Sequence, residues 1–247
     1  MTYEKPKVVG ILLTYNCASL VEETYNRLNK ELFHQIIVID DGSEDNIEEV
    51  SKKLELPFFT HPHGGYGANI KFGLKKMVEL GGDYAVEIHG DGQFNPEYIP
   101  SAVVKITQGY DLVFGSRFTK LLQPLYDHMP LPRWLANIGL SFIERIILQV
   151  PLSELHAGLR LYSKKLVQTL PSDGTSNNYL YSFEVIAQAK FFDLKIGEVP
   201  SRANYGKNHT SINYWKATVY SFQTFWVLLL YILARLGWKT KLFINRV

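Results

Sequence analysis

An α/β fold with a mainly parallel central sheet, helices on both faces of it and a C-terminal helical tail is predicted by three observations. Short apolar runs alternate with amphipathic stretches over residues 7–114. The runs are nearly continuous rather than alternating, as strands covered on both faces require. Several of them end in polar or acidic residues, and a strand–helix–strand order places such ends on one edge of a parallel sheet.

The first strand is read over residues 7–14 (Lys-Val-Val-Gly-Ile-Leu-Leu-Thr) and the second over 35–40 (Gln-Ile-Ile-Val-Ile-Asp). Between them a helix over 19–32 gathers Leu20, Val21, Tyr25, Leu28 and Leu32 against Glu22, Glu23 and Arg27, with Ser19 placed to cap it. A second helix opens near Asp45 or Asn46, and a short strand follows at 57–60. A third helix begins around Gly67 and covers Ile70, Leu74, Met77 and Val78. Gly81-Gly82 stops it before a strand at 84–88. One more helix leads to a strand at 110–114. Past Gly115-Ser116-Arg117 the rhythm changes: a Pro-containing loop at 121–132, a helix over 134–148, another around 183–190, and a late strand over 194–199 carrying Glu198. No repeat or interdomain linker is visible, so residues 1–213 read as one domain and 214–247 as an apolar, aromatic tail.

Composition narrows the class. The chain has 247 residues, 46% hydrophobic and 20% charged, which is ordinary for a globular protein. A net charge of +2 and the lack of any run of five Lys or Arg argue against bulk nucleic-acid binding. The single cysteine, Cys17, excludes an internal disulfide, and no Cys/His cluster has zinc spacing, so a reducing compartment is expected. The polar N-terminus leads directly into a strand, and no signal peptide is expected.

Three strand ends carry the chemistry: Thr14-Tyr15-Asn16, Asp40-Asp41-Gly42-Ser43 and His89-Gly90-Asp91-Gly92-Gln93. Ligands of open α/β sheets bind just outside such ends. Tyr15 can stack on a base, Asp41 can accept from base N–H or ribose hydroxyl groups, and the Asp91 loop can hold a hard divalent cation on a diphosphate. Asp-Gly pairs are also plain turns, and Asp40-Asp41-Gly-Ser reads equally as a turn and helix N-cap. Residues 61–69 (His-Pro-His-Gly-Gly-Tyr-Gly-Ala-Asn) are Gly-rich and open a helix, so the backbone can approach a ligand closely. They are not a P-loop, because no Gly-Lys-Ser/Thr follows.

Taken in order, Leu-Thr-Tyr-Asn (13–16), Ile-Asp-Asp-Gly-Ser (39–43), Gly-Gly-Tyr-Gly-Ala-Asn (64–69), Gly-Asp-Gly-Gln (90–93), Gly-Ser-Arg (115–117), Gly-Leu-Arg (158–160) and Glu-Val-Pro (198–200) resemble a family 2 glycosyltransferase of the GT-A fold. The set is most similar to the dolichyl- or polyprenyl-phosphate sugar synthases. The resemblance implies an enzyme that moves a hexose, with inversion, from a nucleotide-diphosphate sugar to a polyprenyl phosphate. It implies that Leu13, Tyr15, Asn16, Asp40, Asp41, Gly67, His89, Gly90 and Asp91 serve the nucleotide sugar. Asp91, Gln93 and His89 would hold Mg²⁺ or Mn²⁺, while Arg117, Arg133, Asn137 and Arg202 would serve the acceptor phosphate or donor diphosphate. Asp91 and Arg117 are the expected catalytic pair. Fixed guanidinium groups make sense there, because two phosphate-bearing reactants must be brought together.

The chain departs from that pattern at several places. His89 stands where such enzymes carry the first Asp of Asp-x-Asp; an imidazole can ligate Mn²⁺ or hydrogen-bond the diphosphate. Leu13 replaces a Pro and Cys17 a Glu. Glu154, His156 and Glu184 each read either as site residues or as buried structural ones. A transferase with a saccharide acceptor and a non-catalytic nucleotide-sugar-binding protein are the competing readings; a sugar-phosphate nucleotidyltransferase lacks its N-terminal Gly-rich signature here.

Residues 217–234 contain no charge, and Trp215, Trp226, Tyr231 and Trp238 lie in or beside them. Thr218, Ser221, Gln223 and Thr224 weaken a spanning reading, while Arg235, Lys239, Lys241 and Arg246 make the end basic. A peripheral helix on the cytoplasmic face of a membrane, or one docking on a membrane partner, is expected, with a buried C-terminal helix or a dimer interface as the alternatives.

Overall fold

A computed structural model describes residues 5–92, 95–202 and 214–244 of the chain. In order the elements are β1 (Val8–Thr14), α1 (Ala18–Asn26), β2 (Gln35–Asp40), α2 (Ile47–Lys53), β3 (Phe58–Thr60), α3 (Tyr66–Glu79), β4 (Tyr84–His89), α4 (Ile99–Thr107) and β5 (Leu112–Ser116). Then come α5 (Gln123–Tyr126), α6 (Leu131–Leu148), β6 (Arg160–Ser163), α7 (Lys164–Thr169), α8 (Tyr181–Phe191), β7 (Ile196–Pro200) and α9 (Tyr214–Arg235).

The strands form one sheet in the order β3-β2-β1-β4-β6-β5-β7. Every pairing is parallel except those of β6, which runs antiparallel to both β4 and β5. Two reversals cancel, so β5 and β7 point the same way as β1, β2 and β4. The carboxyl ends of all the parallel strands, and the start of β6, therefore share one edge.

Both faces of the sheet are buried, which is why the strands read as continuous apolar runs. Along β1, Val9, Ile11 and Leu13 enter one core with Ile70, Leu74 and Met77 of α3 and Phe183 of α8, while Val8 and Leu12 enter the other with Val21, Ile47, Ile99 and Ile106. The α9 residues Val227, Leu228 and Tyr231 join the first of these cores.

Several expectations need correction. Ser19 does not cap α1: Cys17 is the N-cap and makes no side-chain bond, and the Ala18 N–H donates instead to Asp45 Oδ2 at 2.8 Å. The helix ends at Asn26, followed by a 3-10 turn at Lys30–Leu32. β6 was not expected; its four residues, Arg-Leu-Tyr-Ser, open on a cation and are too short to show a period. α6 begins at Leu131, on Pro132 as a first-turn proline, rather than at 134.

Candidate active site

The chain passes from β1 outward through β2 to β3, then crosses back to lay β4 on the other side of β1. That reversal between β1 and β4 is the topological switch point at which open α/β sheets bind ligands. Thr14, paired with Asp40, and Leu13, paired with His89, set the register there.

On the β1–β2 side, Tyr15 is half exposed and stacks on His63 with ring centroids 4.4 Å apart and planes 19° from parallel. Asp41 is buried beneath them. Its carboxylate accepts from the Gly64 N–H at 2.8 Å and the Gly65 N–H at 2.9 Å, and lies 2.9 Å from His63 Nδ1. Asp40 is also buried and accepts from Thr14 Oγ1, the Ser43 N–H and hydroxyl, and Thr60 Oγ1, which makes it the pin of the β2 turn. Asn16, at φ 49°, accepts from the Glu44 N–H and so ties the β1 and β2 turns together. Leu13 lies in the core, and its carbonyl accepts from the Gly90 N–H at 2.8 Å. The close approach at Gly67 is to the chain itself: its N–H donates to the Asn177 carbonyl, and a Cβ there would meet Ser176 O at 2.6 Å and Asn178 O at 2.8 Å. Gly67→Ala is therefore expected to cost about 1–3 kcal/mol of stability, read by urea unfolding.

The β4 end is built on a buried carboxylate that sequence reasoning missed. Glu87 has no exposed surface. Tyr66 donates to one of its oxygens and Tyr162 to the other at 2.6 Å; His89 Nε2 lies 2.9 Å away and Arg160 Nη1 3.7 Å away. Burial pushes the Glu87 carboxyl up, but the bond to His89 and the charge of Arg160 overcome it and hold the group below its ordinary value. Burial likewise opposes charge on His89, and Glu87 outweighs it, so the imidazole is held above its ordinary value. A lone Glu in the apolar run Tyr-Ala-Val-Glu-Ile-His was the available signal.

Asp91, partly buried, follows on a turn clamped by α1: Thr24 Oγ1 donates to the Gly90 carbonyl and Arg27 Nη1 to that of Gly92, each at 3.3 Å. Gly90 leaves room for β1, since a Cβ would meet Leu13 O at 2.8 Å. Gln93 lies outside the described residues. Burial pushes the Cys17 thiol beside this loop up to about 11, which favours the neutral thiol at neutral pH.

From the far side of the edge, Arg117 follows β5. Its backbone N–H and Nε both donate to Glu154 Oε2, at 2.9 and 3.1 Å, and Nη2 pairs with Oε1. Glu154 is fully buried. The next layer is Ser153, whose N–H donates to Glu198 Oε2 at 2.7 Å and whose hydroxyl meets that of Ser116 at 2.6 Å. Arg202, after β7, pairs with Asp127. Arg133 and Asn137 lie one turn apart on α6, with Asn137 Nδ2 donating to the Arg133 carbonyl at 2.9 Å. Glu184 caps the 176 segment by accepting from the Ser176 N–H and hydroxyl, both at 2.7 Å. Tyr179, exposed, stacks on Tyr66 with ring centroids 5.0 Å apart.

Solved structures superpose on this sheet. Glucosyl-3-phosphoglycerate synthase from Mycobacterium tuberculosis, in complex with UDP, matches 95% of the chain and 82% of its own with a TM-score of 0.65 at 18% identity. The same enzyme with Mn²⁺, UDP and phosphoglyceric acid matches with a TM-score of 0.64 at 17% identity, covering 95% of this chain and 80% of its own. The fold is that of a GT-A glycosyltransferase.

The sequence profile of glycosyl transferase family 2 matches residues 11–170, and the protein belongs to that family. The UDP-N-acetylglucosamine–dolichyl-phosphate N-acetylglucosaminyltransferase of Methanococcus voltae is 30% identical over 214 residues, covering 79% of this chain and 84% of that enzyme. The dolichol-phosphate mannosyltransferase of Pyrococcus furiosus is 32% identical over 150 residues, covering 58% of this chain and 41% of its own longer one.

Proposed function

We propose that the protein transfers a hexose, with inversion, from a nucleotide-diphosphate sugar to a polyprenyl phosphate at the cytoplasmic face of a membrane. The observation that carries this reading is the single sheet edge shared by the Tyr15–His63 stack, the Asp91 loop and Arg117. Both relatives above are named for transfer to a dolichyl phosphate, which supports the acceptor class.

The base stacks on Tyr15, whose ring is already held flat by His63. Asp41, fixed by Gly64 and Gly65, holds His63 against the opposite face of that ring. Arg117, aimed by Glu154, faces the phosphates, with Arg133, Asn137 and Arg202 serving the acceptor side. An acceptor phosphate oxygen forms the new bond to the anomeric carbon as the bond to the diphosphate breaks on the opposite face. That oxygen is already anionic, so no strong general base is needed.

A divalent cation fits the residues present. Among the described residues no three His, Cys, Asp or Glu side chains cluster closely enough to hold an ion. Yet Mg²⁺ and Mn²⁺ are commonly held by one or two side chains plus substrate phosphates. Asp91 and Gln93 would supply the protein's share, with His89, whose Nε2 faces Glu87, bonding the diphosphate rather than the ion; the ion would neutralise the departing nucleoside diphosphate.

Membrane association is supported by two touching helices. On α6, Leu131, Leu135, Phe142 and Ile146 are exposed; on α9, Trp215, Phe222, Trp226 and Leu229 are. Arg235, Lys239 and Lys241 follow on the surface. Trp215–Arg235 is long and apolar enough to span, but its Val227, Leu228 and Tyr231 are packed in the core, so a helix lying in the interface costs less. Phe222→Ser with Trp226→Ser should weaken flotation with anionic liposomes at least about tenfold, with melting temperature unchanged.

The deciding assay offers a panel of nucleotide sugars with Mn²⁺ or Mg²⁺ to a short polyprenyl phosphate and to free glycans. Glycolipid formation is the expected product. Transfer to glycans alone would replace the acceptor, and donor binding without any turnover would remove the transferase reading.

A further inference from the structure

His156 lies in the segment between α6 and β6, and its side chain is only 10% exposed. Its Nε2 stands 2.8 Å from Glu144 Oε2 on α6, and its Nδ1 3.1 Å from the Tyr220 hydroxyl on α9. One tautomer satisfies both: Nε2–H donates to the carboxylate and Nδ1 accepts from the phenol. The ring also stacks on Phe183 of α8 and meets the edge of Tyr220. On its other side the His156 carbonyl accepts from Arg117 Nη2 at 3.3 Å, two residues after the Glu154 that aims that guanidinium. One residue thus touches both apolar helices through its ring and the phosphate-facing arginine through its backbone.

Stability alone does not account for this trio. Glu144 is fully buried, and one of its oxygens, like the Ser141 hydroxyl a turn earlier, has no partner among the described residues. Apolar side chains of similar volume in such places are often as stable or more so. What a His-Glu-Tyr bridge adds is direction, since each bond is satisfied at one relative placement of α6, α9 and the 153–157 segment.

We infer that His156 is a positioning residue: it locks the α6–α9 pair to the segment that aims Arg117, so that the apolar platform and the guanidinium keep one fixed relation. The inference rests on the acceptor reading above. A lipid phosphate is held at two places, its chain against an apolar surface and its head at a cation, and the reacting oxygen reaches the anomeric carbon in line only if the two are in register.

The test compares the full-length protein with His156→Gln and Tyr220→Phe. Expected is an increase in KM for a short polyprenyl phosphate of about tenfold for His156→Gln and about threefold for Tyr220→Phe. The Kd for the nucleoside diphosphate, by calorimetry, should stay within about twofold, and the melting temperature should hold. An unchanged KM overturns the inference, as does a joint loss of donor affinity, acceptor KM and melting temperature, the mark of a purely structural role. Hydrogen–deuterium exchange separates this from the acceptor reading. In His156→Gln, residues 115–118 and 216–235 should both exchange about tenfold faster, with residues 8–40 unchanged. Should the wild-type protein transfer nothing to polyprenyl phosphate, the acceptor reading fails and exchange alone decides the coupling. A rise in only one of the two segments overturns it.

Discussion

Asp91→Asn is expected to lower kcat by about three orders of magnitude while leaving the fold intact. The exchange is isosteric and removes one negative charge. The turn that carries Asp91 is held by backbone groups of its neighbours, through Gly90 to Leu13 and Thr24 and through Gly92 to Arg27, and these bonds do not involve the carboxylate. Electron paramagnetic resonance of Mn²⁺ in the presence of nucleoside diphosphate reports the ion separately from turnover. Loss of both signals together, with an unchanged melting curve, is the expected result. Full activity in Asp91→Asn would refute its role at the diphosphate.

Glu87→Ala should be the most destabilising single change near the site, by about 3–5 kcal/mol, because it leaves the buried Arg160 guanidinium without its counter-charge and the hydroxyls of buried Tyr162 and partly buried Tyr66 without their acceptor. Its pH dependence has a definite sign. Glu87 is held below 4.5 in the folded chain, so its contribution is complete above 4.5 and is lost as pH falls through the lower folded value. His89 is held above 6.5, so its contribution is complete below 6.5 and is lost as pH rises through the higher folded value. The stability gap between wild type and Glu87→Ala should therefore be widest between pH 4.5 and 6.5 and narrow on either side. Urea unfolding from pH 4 to about 9 measures it. A gap that does not vary with pH would show that the pair does not ionise as described.

What the sequence made legible were the strands buried on both faces and the polar turns that follow them. β1, β2 and β4 are long apolar runs with no competing period, and their acidic ends follow from strand direction alone. The Asp91 turn was visible for the same reason. Partnerships made across the sheet were not. Glu87 is a single charge in an apolar strand, and its partners Tyr66, Tyr162 and Arg160 come from three other elements. Arg117 and Glu154 stand 37 residues apart, and nothing local to either marks them as a pair. A Gly-rich helix start in isolation means room for a ligand, but at Gly67 residues 176–178 fill the space. Asp45, which closes α1 from the next loop, defeats a capping rule that looks only at adjacent residues.

The late arrival of β6 has a bearing on how the molecule is made. β4 and β5 are not neighbours; the strand between them is synthesised after both. As the chain leaves the ribosome, β1 to β4 can assemble from local crossovers, but β5 has no seat on the sheet until residues 160–163 emerge. Asp91 belongs to the first half-sheet and Arg117 to the second, and Glu154, which aims Arg117, is translated just before the strand that joins them. A nascent chain released before that point carries Asp91 on one fragment of sheet and Arg117 on an unanchored one. On the proposed function, incomplete translation products should therefore fail to transfer any sugar, because the two halves of the site never meet.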